Sequence, residues 1–231
     1  MDFTFKGLTA TSFGIIVNSM PTFKKPKRKV NKKSVDGRHG TQVEELGYDS
    51  YSLPSLITPT DTAYFDAIYA WLDGPGVLIC GDDPLKYRIA EVIEEVEYGR
   101  LAIWKEASID FFIADPFRYV LNEADLIFTT VSFPATITNT GTFESLPLLK
   151  LTGSGAISIT LNGTTFTYTF PSGETYVWID CKEQAAYYGT TVDYRDGSMS
   201  GNYPVLKVGS NALAKTGTVT QAIVSKRTCF L

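Results

Sequence analysis

The sequence predicts a mainly β protein, in which an α+β first domain with one helix packed on an antiparallel sheet is followed by a β-sandwich of jelly-roll type. Three observations lead to this fold class. Short apolar runs with strand-like alternation recur between Gly, Pro and Asn turns. A single segment has helical spacing. The 231 residues are 44% hydrophobic and 13% aromatic, which is enough apolar material for one large or two small hydrophobic cores.

The first domain is predicted to span residues 1–122 and to begin with strands. In DFTFKG, Phe3 and Phe5 alternate with polar residues, as in a half-buried strand. TSFGIIV and YDSYSLPSLITP are further strand-like runs. The stretch from GVLIC to DFFIADPF predicts three antiparallel strands joined by turns at GDDP and EYG, and it places residues 91–97 on the second strand.

The one helix is predicted at about residues 60–73. Thr60 or Asp61 can cap it by accepting hydrogen bonds from the free N–H groups of the first turn. Gly74 and Pro75 end it. An apolar stripe with helical spacing should pack on the sheet, and it consists of Ala63, Tyr64, Ile68, Trp71 and Leu72.

The second domain is predicted to span residues 123–231, where charged residues become sparse and Thr, Gly and Asn take over. Short strand-like runs follow one another between turn signals such as NGT, PSGE and RDGS. This spacing is typical of a two-sheet β-sandwich. PLLKLTGSG and AISITLNG are predicted as separate strands, and so are YPVLKVGSNALAKTG and VTQAIVSKRTCF.

The most basic stretch of the chain, residues 24–33, holds seven Lys or Arg and no acidic residue. It precedes VDGRHG, in which Asp-Gly is a strong signal for a tight turn. A basic arm could contact phosphates. The net charge of −4 and the lack of a nucleic-acid-binding motif instead favour a solvated segment or an interface with an acidic neighbour. The candidate subunit-interface residues are Lys27, Arg28, Lys29, Lys32 and Lys33, opposite Glu94, Glu95 and Glu97 of another copy.

Catalytic and metal sites are not predicted. His39, the one histidine, lies in VDGRHG without a recognisable nucleophile motif, so an enzyme is not expected. Asp82 and Asp83 are interpreted as turn formers before a proline. Three widely spaced cysteines with no CxxC predict reduced thiols, with no disulfide, metal site or cofactor. No apolar run approaches the ~20 residues of a membrane span, and the N-terminus lacks the apolar region of a signal peptide.

Aromatic residues of the second domain support an alternative hypothesis. Trp178, Tyr187 and Tyr188 could stack on sugar rings, together with Tyr176 and Tyr194. The chain would then be a carbohydrate-binding module or adhesin that contacts glycans of a host cell wall. Packing in the core or at its rim is the other explanation of the same side chains.

The order of these motifs resembles the distal tail proteins of long, non-contractile-tailed phages that infect Gram-positive bacteria, the phage tail component family. The resemblance covers essentially the whole chain. It rests on FTFKGLTATSFGIIV, on VDGRHG, which is similar to the family's V-x-G-R-x-G turn, and on AIYAWLDGPG, GDDPLKYRIAEV and DFFIADPF. In the second half it rests on ITNTGTFESLPLLKLTGSGAISITLNG, YVWIDC, YPVLKVGSNAL and KRTCFL.

The resemblance implies a structural role in a virion. The first domain would assemble into a hexameric ring, single or in a stack of two, and the second would be a galectin-like β-sandwich whose last residues return to the first domain. The implied partners are the tail tube protein, the tail-associated or tip protein, the tape measure protein and receptor-binding proteins. DNA would only pass through the channel, with no membrane insertion. The protein would lie at the distal tail of the virion, and in the host cytoplasm during assembly.

The resemblance also gives VDGRHG a role. Val35, Gly37, Arg38 and Gly40 would form a structural turn of the ring-forming domain, with the basic arm at or near a subunit contact. A strongly basic channel would bind passing DNA and slow it. Lys27 to Lys33 are therefore predicted to lie away from the channel wall.

Overall fold

A computed structural model describes residues 2–20, 24–96, 106–189 and 193–231. The chain divides into two compact units, Met1–Leu121 together with Leu231, and Asn122–Phe230. Antiparallel strands dominate both units, and one short α-helix lies in the first. The mainly β fold class predicted from the sequence is thus confirmed.

The first unit is built around one antiparallel sheet. The strands of this unit are β1 (Phe3–Phe5), β2 (Leu8–Thr9), β3 (Ile15–Ser19), β4 (Arg28–Ser34), β5 (Thr41–Tyr48), β6 (Tyr51–Pro59), β7 (Gly76–Cys80), β8 (Lys86–Val92), β9 (Ala107–Ile113) and β10 (Arg118–Val120). Seven strands of the sheet follow one another in the order β2-β1-β7-β8-β9-β6-β3, and β10 joins the same sheet by pairing with β8. The remaining two strands, β4 and β5, form a separate two-stranded sheet.

The helix, α1 (Phe65–Leu72), lies within the predicted range and buries Ile68, Trp71 and Leu72 of the predicted stripe, with Phe65 in addition. A 3₁₀ turn precedes it, capped by Asp61, whose side chain accepts a hydrogen bond from the N–H of Ala63. Ala63 and Tyr64 are exposed, which corrects the prediction for them. The 3₁₀ turn has three residues per turn, so it shifts the phase of the apolar stripe. The buried residues of α1 are Phe65, Ile68, Trp71 and Leu72.

Trp71 fixes α1 to the sheet. Its ring stacks on Phe13, with centroids 4.5 Å apart, and on Phe3, with centroids 5.8 Å apart. Its indole Nε1–H donates a 2.9 Å hydrogen bond to the carbonyl oxygen of Phe5. The indole therefore satisfies its one polar group while it fills the core of the first unit.

The predicted strand at 91–97 is shorter than expected, because β8 ends at Val92. Ile93 is 57% exposed, and Glu94 and Glu95 after it are exposed as well. Three consecutive exposed side chains break the alternation that a half-buried strand needs. Glu97 and the EYG turn lie outside the described residues.

The second unit has two unusually long strands, β13 and β19. Each merges two strands that the sequence predicts as separate. The strands of this unit are β11 (Leu126–Thr129), β12 (Ala135–Asn139), β13 (Leu148–Leu161), β14 (Thr164–Thr169), β15 (Tyr176–Asp180), β16 (Ala185–Tyr188), β17 (Asp193–Tyr194), β18 (Met199–Gly201), β19 (Gly209–Ser225) and β20 (Cys229–Phe230).

The long strands hold the unit together, because each pairs with different strands along its two halves. Residues 148–152 of β13 pair with β15, whereas residues 156–161 pair with β14. In β19, the C-terminal part pairs with β11 and the N-terminal part with β12. The β13–β19 register shifts near Gly153, between the two halves of β13 that have different partner strands. Inward side chains of both halves, including Leu149, Leu151, Ile157 and Ile159, then join one core.

Two glycines permit the crossing of β13 and β19. A Cβ atom on Gly153 would lie 2.2 Å from the carbonyl oxygen of Thr218. On Gly217, which has φ +77°, it would lie 2.4 Å from the carbonyl oxygen of Ala156. The backbones approach so closely that a side chain on either residue would force them apart.

Candidate functional site

The predicted VDGRHG turn connects β4 to β5, and together they form a hairpin, which we call the basic hairpin (residues 28–48). The N–H of Arg38 donates to the carbonyl oxygen of Val35 at 3.2 Å, which closes the turn. Gly37 and Gly40 have φ of +78° and +87°, a conformation that favours glycine. His39 is exposed in the same turn.

Positive charge is only partly balanced within the basic hairpin. Arg28 forms an exposed ion pair with Glu45. Across the ribbon, however, Lys29, Lys32 and Lys33 lie opposite residues without charge, namely Gly47, Val43 and Gln42. These three lysines, with Lys27 just before β4, give one strand of the hairpin an excess of positive charge that its own partner strand does not neutralise.

The basic hairpin also exposes apolar side chains. Val43 is 56% exposed, Leu46 55% and Val35 39%. Within the described residues, β4 and β5 pair only with each other. A lone two-stranded ribbon is only marginally stable in water. Such a ribbon, apolar and cationic at once, suits contact with another surface.

The acidic residues predicted to face the basic hairpin lie elsewhere on the first unit. Glu94 and Glu95 follow the end of β8 and are exposed. In the described part of the chain, no ion pair joins either of them to the hairpin lysines. Both carboxylates are therefore accessible to another surface.

The remaining polar candidates have structural roles. Asp83 accepts hydrogen bonds from Lys86 at 2.9 Å and from Arg118 at 3.0 Å, so it joins the β7–β8 turn to β10. Among the described residues, no group of His, Cys, Asp and Glu could hold a metal ion. All three cysteines are buried, and burial raises the pKa of the Cys181 thiol to about 12.

The aromatic residues predicted to bind sugars lie together on the second unit. The rings of Trp178 and Tyr187 are stacked, with centroids 6.4 Å apart and planes 16° apart. Tyr188 lies near Tyr176, with centroids 4.7 Å apart. All four side chains are half-buried.

Cations of the same unit lie over several of these rings. Lys150 Nζ is 4.7 Å from the ring centre of Tyr176 and 5.1 Å from that of Trp178. Arg195 is 5.9 Å from the ring centre of Tyr188. Cation–π attraction favours these positions. The rings of Trp178 and Tyr188 thus have contacts within the chain, while Tyr194, across from Tyr187 on β17, is 64% exposed.

A cavity of about 430 Å³ lies beside Tyr187 and Tyr194, and we call it the tyrosine cavity. Polar groups from the β15–β16 turn and from the segment after β17 complete it. Those polar groups could not be predicted from the sequence, because their only signal is their position in turns. The residues that line the cavity include Tyr187, Tyr194, Glu183, Gln184, Asp180 and Asp196.

Asp180 is held in place by a bidentate ion pair at the base of the tyrosine cavity. The two guanidinium nitrogens of Arg227 donate to its two oxygens at 2.7 and 2.8 Å. Burial of the carboxyl group opposes ionisation. The hydrogen bonds from Arg227 and from the N–H groups of Glu183 and Lys182 outweigh it, so the pKa of Asp180 is lowered.

Comparison with known proteins supports the fold. No protein-family model matches the sequence, and a search of curated proteins also finds no match. Within the described residues, no helix is long and apolar enough to cross a membrane. Among solved structures, the chain is similar to the Dit protein (gp 19.1) of phage SPP1, with a TM-score of 0.76 and 13% sequence identity.

The similarity to the SPP1 protein covers 100% of this chain and 99% of that one. The SPP1 protein is described as a paradigm of the hub adsorption apparatus in phages that infect Gram-positive bacteria. The match confirms, at the level of the fold, the resemblance that the sequence motifs indicate. Over its whole length, the chain has the fold of a phage Dit protein.

Proposed function

We propose that the chain is a structural subunit of the hub at the distal end of a phage tail, where it carries the adsorption apparatus and catalyses no reaction. The observation that carries this proposal is the full-length structural match to SPP1 Dit, because the match includes both units of the chain. A fold alone does not assign a function. The basic hairpin supplies a feature of this chain that fits the same role.

The basic hairpin supports assembly into a ring. In a heterologous contact, one patch of a copy binds a different patch of the next copy. Repeated contacts of this kind form a ring when the rotation from each copy to the next closes the circle. Exposed Val43 and Leu46 would supply buried apolar area, and Lys32 and Lys33 would meet carboxylates such as Glu94 and Glu95 of the next copy. We propose six copies per ring, in one ring or two stacked rings.

The finer connections belong to the same proposal. The ring would join the tail tube protein to the tip protein and receptor-binding proteins, with the tape measure protein and DNA passing through it. The hairpin lysines would be used at the subunit contact and not at the channel wall, where they would bind passing DNA. The protein would be made in the host cytoplasm and remain in the virion at the distal tail.

The first test is the solution mass of the purified chain, by light scattering after size exclusion at low and moderate salt. We expect a mass of six or twelve chains, reduced as salt screens the lysine contacts. Lys32→Glu combined with Val43→Asp should give smaller species. Lys207→Glu, a charge reversal at an exposed lysine of the second unit, is the matched control and should leave the mass unchanged.

One result would contradict the ring itself, and another would contradict the role of the hairpin in it. One is a monomer at every protein concentration, with and without purified tail tube protein. The other is a hexamer that the hairpin variant leaves intact, which would move the subunit contact away from the hairpin.

A further inference from the structure

We propose that the tyrosine cavity binds a neutral saccharide, with one sugar ring stacked on Tyr194 and Tyr187. This site goes beyond the hub role and does not depend on ring assembly, because the described residues that line it all belong to the second unit of one chain. Of the aromatic residues that the sequence suggests, it uses Tyr187 and Tyr194 and leaves out Trp178 and Tyr188, which are contacted by cations of the chain itself.

The two tyrosines form the apolar part of the site. Tyr187 and Tyr194 are directly paired across β16 and β17, so their side chains leave the same face of the sheet. Tyr194 is 64% exposed at the last strand of the sheet order. A pyranose ring has one face made of C–H groups. The apolar face of a tyrosine ring can stack on that face while the tyrosine hydroxyl stays in contact with water.

The polar wall of the cavity is suited to hydroxyl groups. The carboxylate of Asp196 is fixed, because its Oδ1 accepts hydrogen bonds from the N–H of Ala186 at 2.6 Å and from the hydroxyl of Tyr203 at 3.2 Å. Glu183 and Gln184 add a second carboxylate and an amide at the opposite turn. Carboxylates and amides accept hydrogen bonds from sugar hydroxyls, and the amide also donates.

Charge selects among possible ligands. Arg227 neutralises Asp180, but Glu183 and Asp196 leave the cavity with net negative charge, which repels phosphate-bearing and carboxylate-bearing polymers. A quaternary ammonium ion prefers to be enclosed by several ring faces. Among the described residues that line the cavity only Tyr187 and Tyr194 are aromatic, and their register places both on one sheet face, so several ring faces do not enclose a ligand. A neutral, hydroxyl-rich ring fits both features.

The site can be tested on the full-length chain. Isothermal titration and saturation-transfer NMR would use neutral oligosaccharides of glucose, galactose and N-acetylglucosamine, with choline and inorganic phosphate as competing ligand classes. We expect saturable binding of at least one neutral saccharide, with a Kd on the order of 1 mM because the site is shallow. Tyr194→Ala should weaken this binding about tenfold or more, which is ~1.4 kcal/mol.

Matched controls separate the site from general effects. Tyr64→Ala removes another exposed tyrosine, 42% exposed in the first unit, and should leave saccharide affinity unchanged. Gln184→Ala tests the polar wall without touching the aromatic platform. Persistent burial of the Cys181 thiol in each variant reports that the second unit is folded.

Three results would overturn the proposal: no saturable binding of any neutral oligosaccharide, saturable binding of choline or phosphate in its place, or saccharide binding that Tyr194→Ala leaves intact.

Discussion

The crossing of β13 and β19 gives a sharp test of the fold, because the chain offers a matched pair of glycines there. Gly217 and Gly155 both have left-handed backbones, with φ of +77° and +67°. A Cβ on Gly155 would have no atom within 4 Å, whereas on Gly217 it would lie 2.4 Å from the carbonyl oxygen of Ala156. The free energy of unfolding of Gly155→Ala therefore reports only the cost of the left-handed backbone conformation. That of Gly217→Ala reports the same cost together with the steric clash of the new methyl group.

The expected destabilisation follows from these two contributions. A left-handed conformation costs an L-residue about 1–2 kcal/mol, and both variants lose that much. At Gly217 the new methyl group must also push two backbones apart, and overpacking of this kind costs about 1–3 kcal/mol. The Gly217→Ala variant should be less stable than Gly155→Ala by about 2 kcal/mol, the middle of that range.

The measurement has to report on each unit separately. Cys181 is buried in the second unit and Cys80 in the first, each 2% exposed. Pulsed thiol labelling across a urea series, read by peptide mass spectrometry, gives a midpoint for each cysteine. For the second unit, about 2 kcal/mol corresponds to a midpoint difference of ~1 M urea between the variants.

Equal Cys181 midpoints for Gly217→Ala and Gly155→Ala would refute the steric reasoning. The Cys80 midpoint is the internal control, and we expect it to be the same in both variants.

Two further predictions use the same labelling assay. Since the pKa of Asp180 is lowered on folding, its ion pair with Arg227 stabilises the second unit above the ordinary carboxyl pKa of 3.8, and this stability is lost as the pH falls below that value. Arg227→Met should flatten the acid dependence of the Cys181 midpoint, and an unchanged slope would contradict the assignment. Trp71→Leu should destabilise the first unit by about 3 kcal/mol, because a large buried ring and its hydrogen bond to Phe5 are lost. The Cys80 midpoint should fall while that of Cys181 stays, and a shift of both would show that Trp71 does not act on the first unit alone.

Local patterns predicted much of the fold. Period-2 alternation, the Asp61 cap and the Asp-Gly turn act over a few residues, so they can be recognised without tertiary information. The continuity of β13 and β19 could not be predicted this way. GSGA and KTG have the composition of turns, and only the pairing of the two strands shows that Gly153 and Gly217 permit a crossing in the middle of a strand.

The candidate sites also differ in whether they depend on local patterns or on contacts between distant segments. The basic hairpin could be predicted, because a charge run followed by a turn signal is local. The contacts of the aromatic residues could not be predicted, because the cations over Trp178 and Tyr188 belong to Lys150 and Arg195 on other segments. Side-chain contacts between distant segments depend on the register of the sheet, and the register follows from the whole fold.

The two long strands have a mechanical consequence. Strands at the two ends of a domain are often linked only through side-chain packing and loops. Here β13 and β19 pair with each other along most of their length, and each has different partner strands along its two halves. A pull on the strands at one end is therefore carried to the other end along two covalent backbones, and the unit should resist stretching as a single body while its shorter strands separate first.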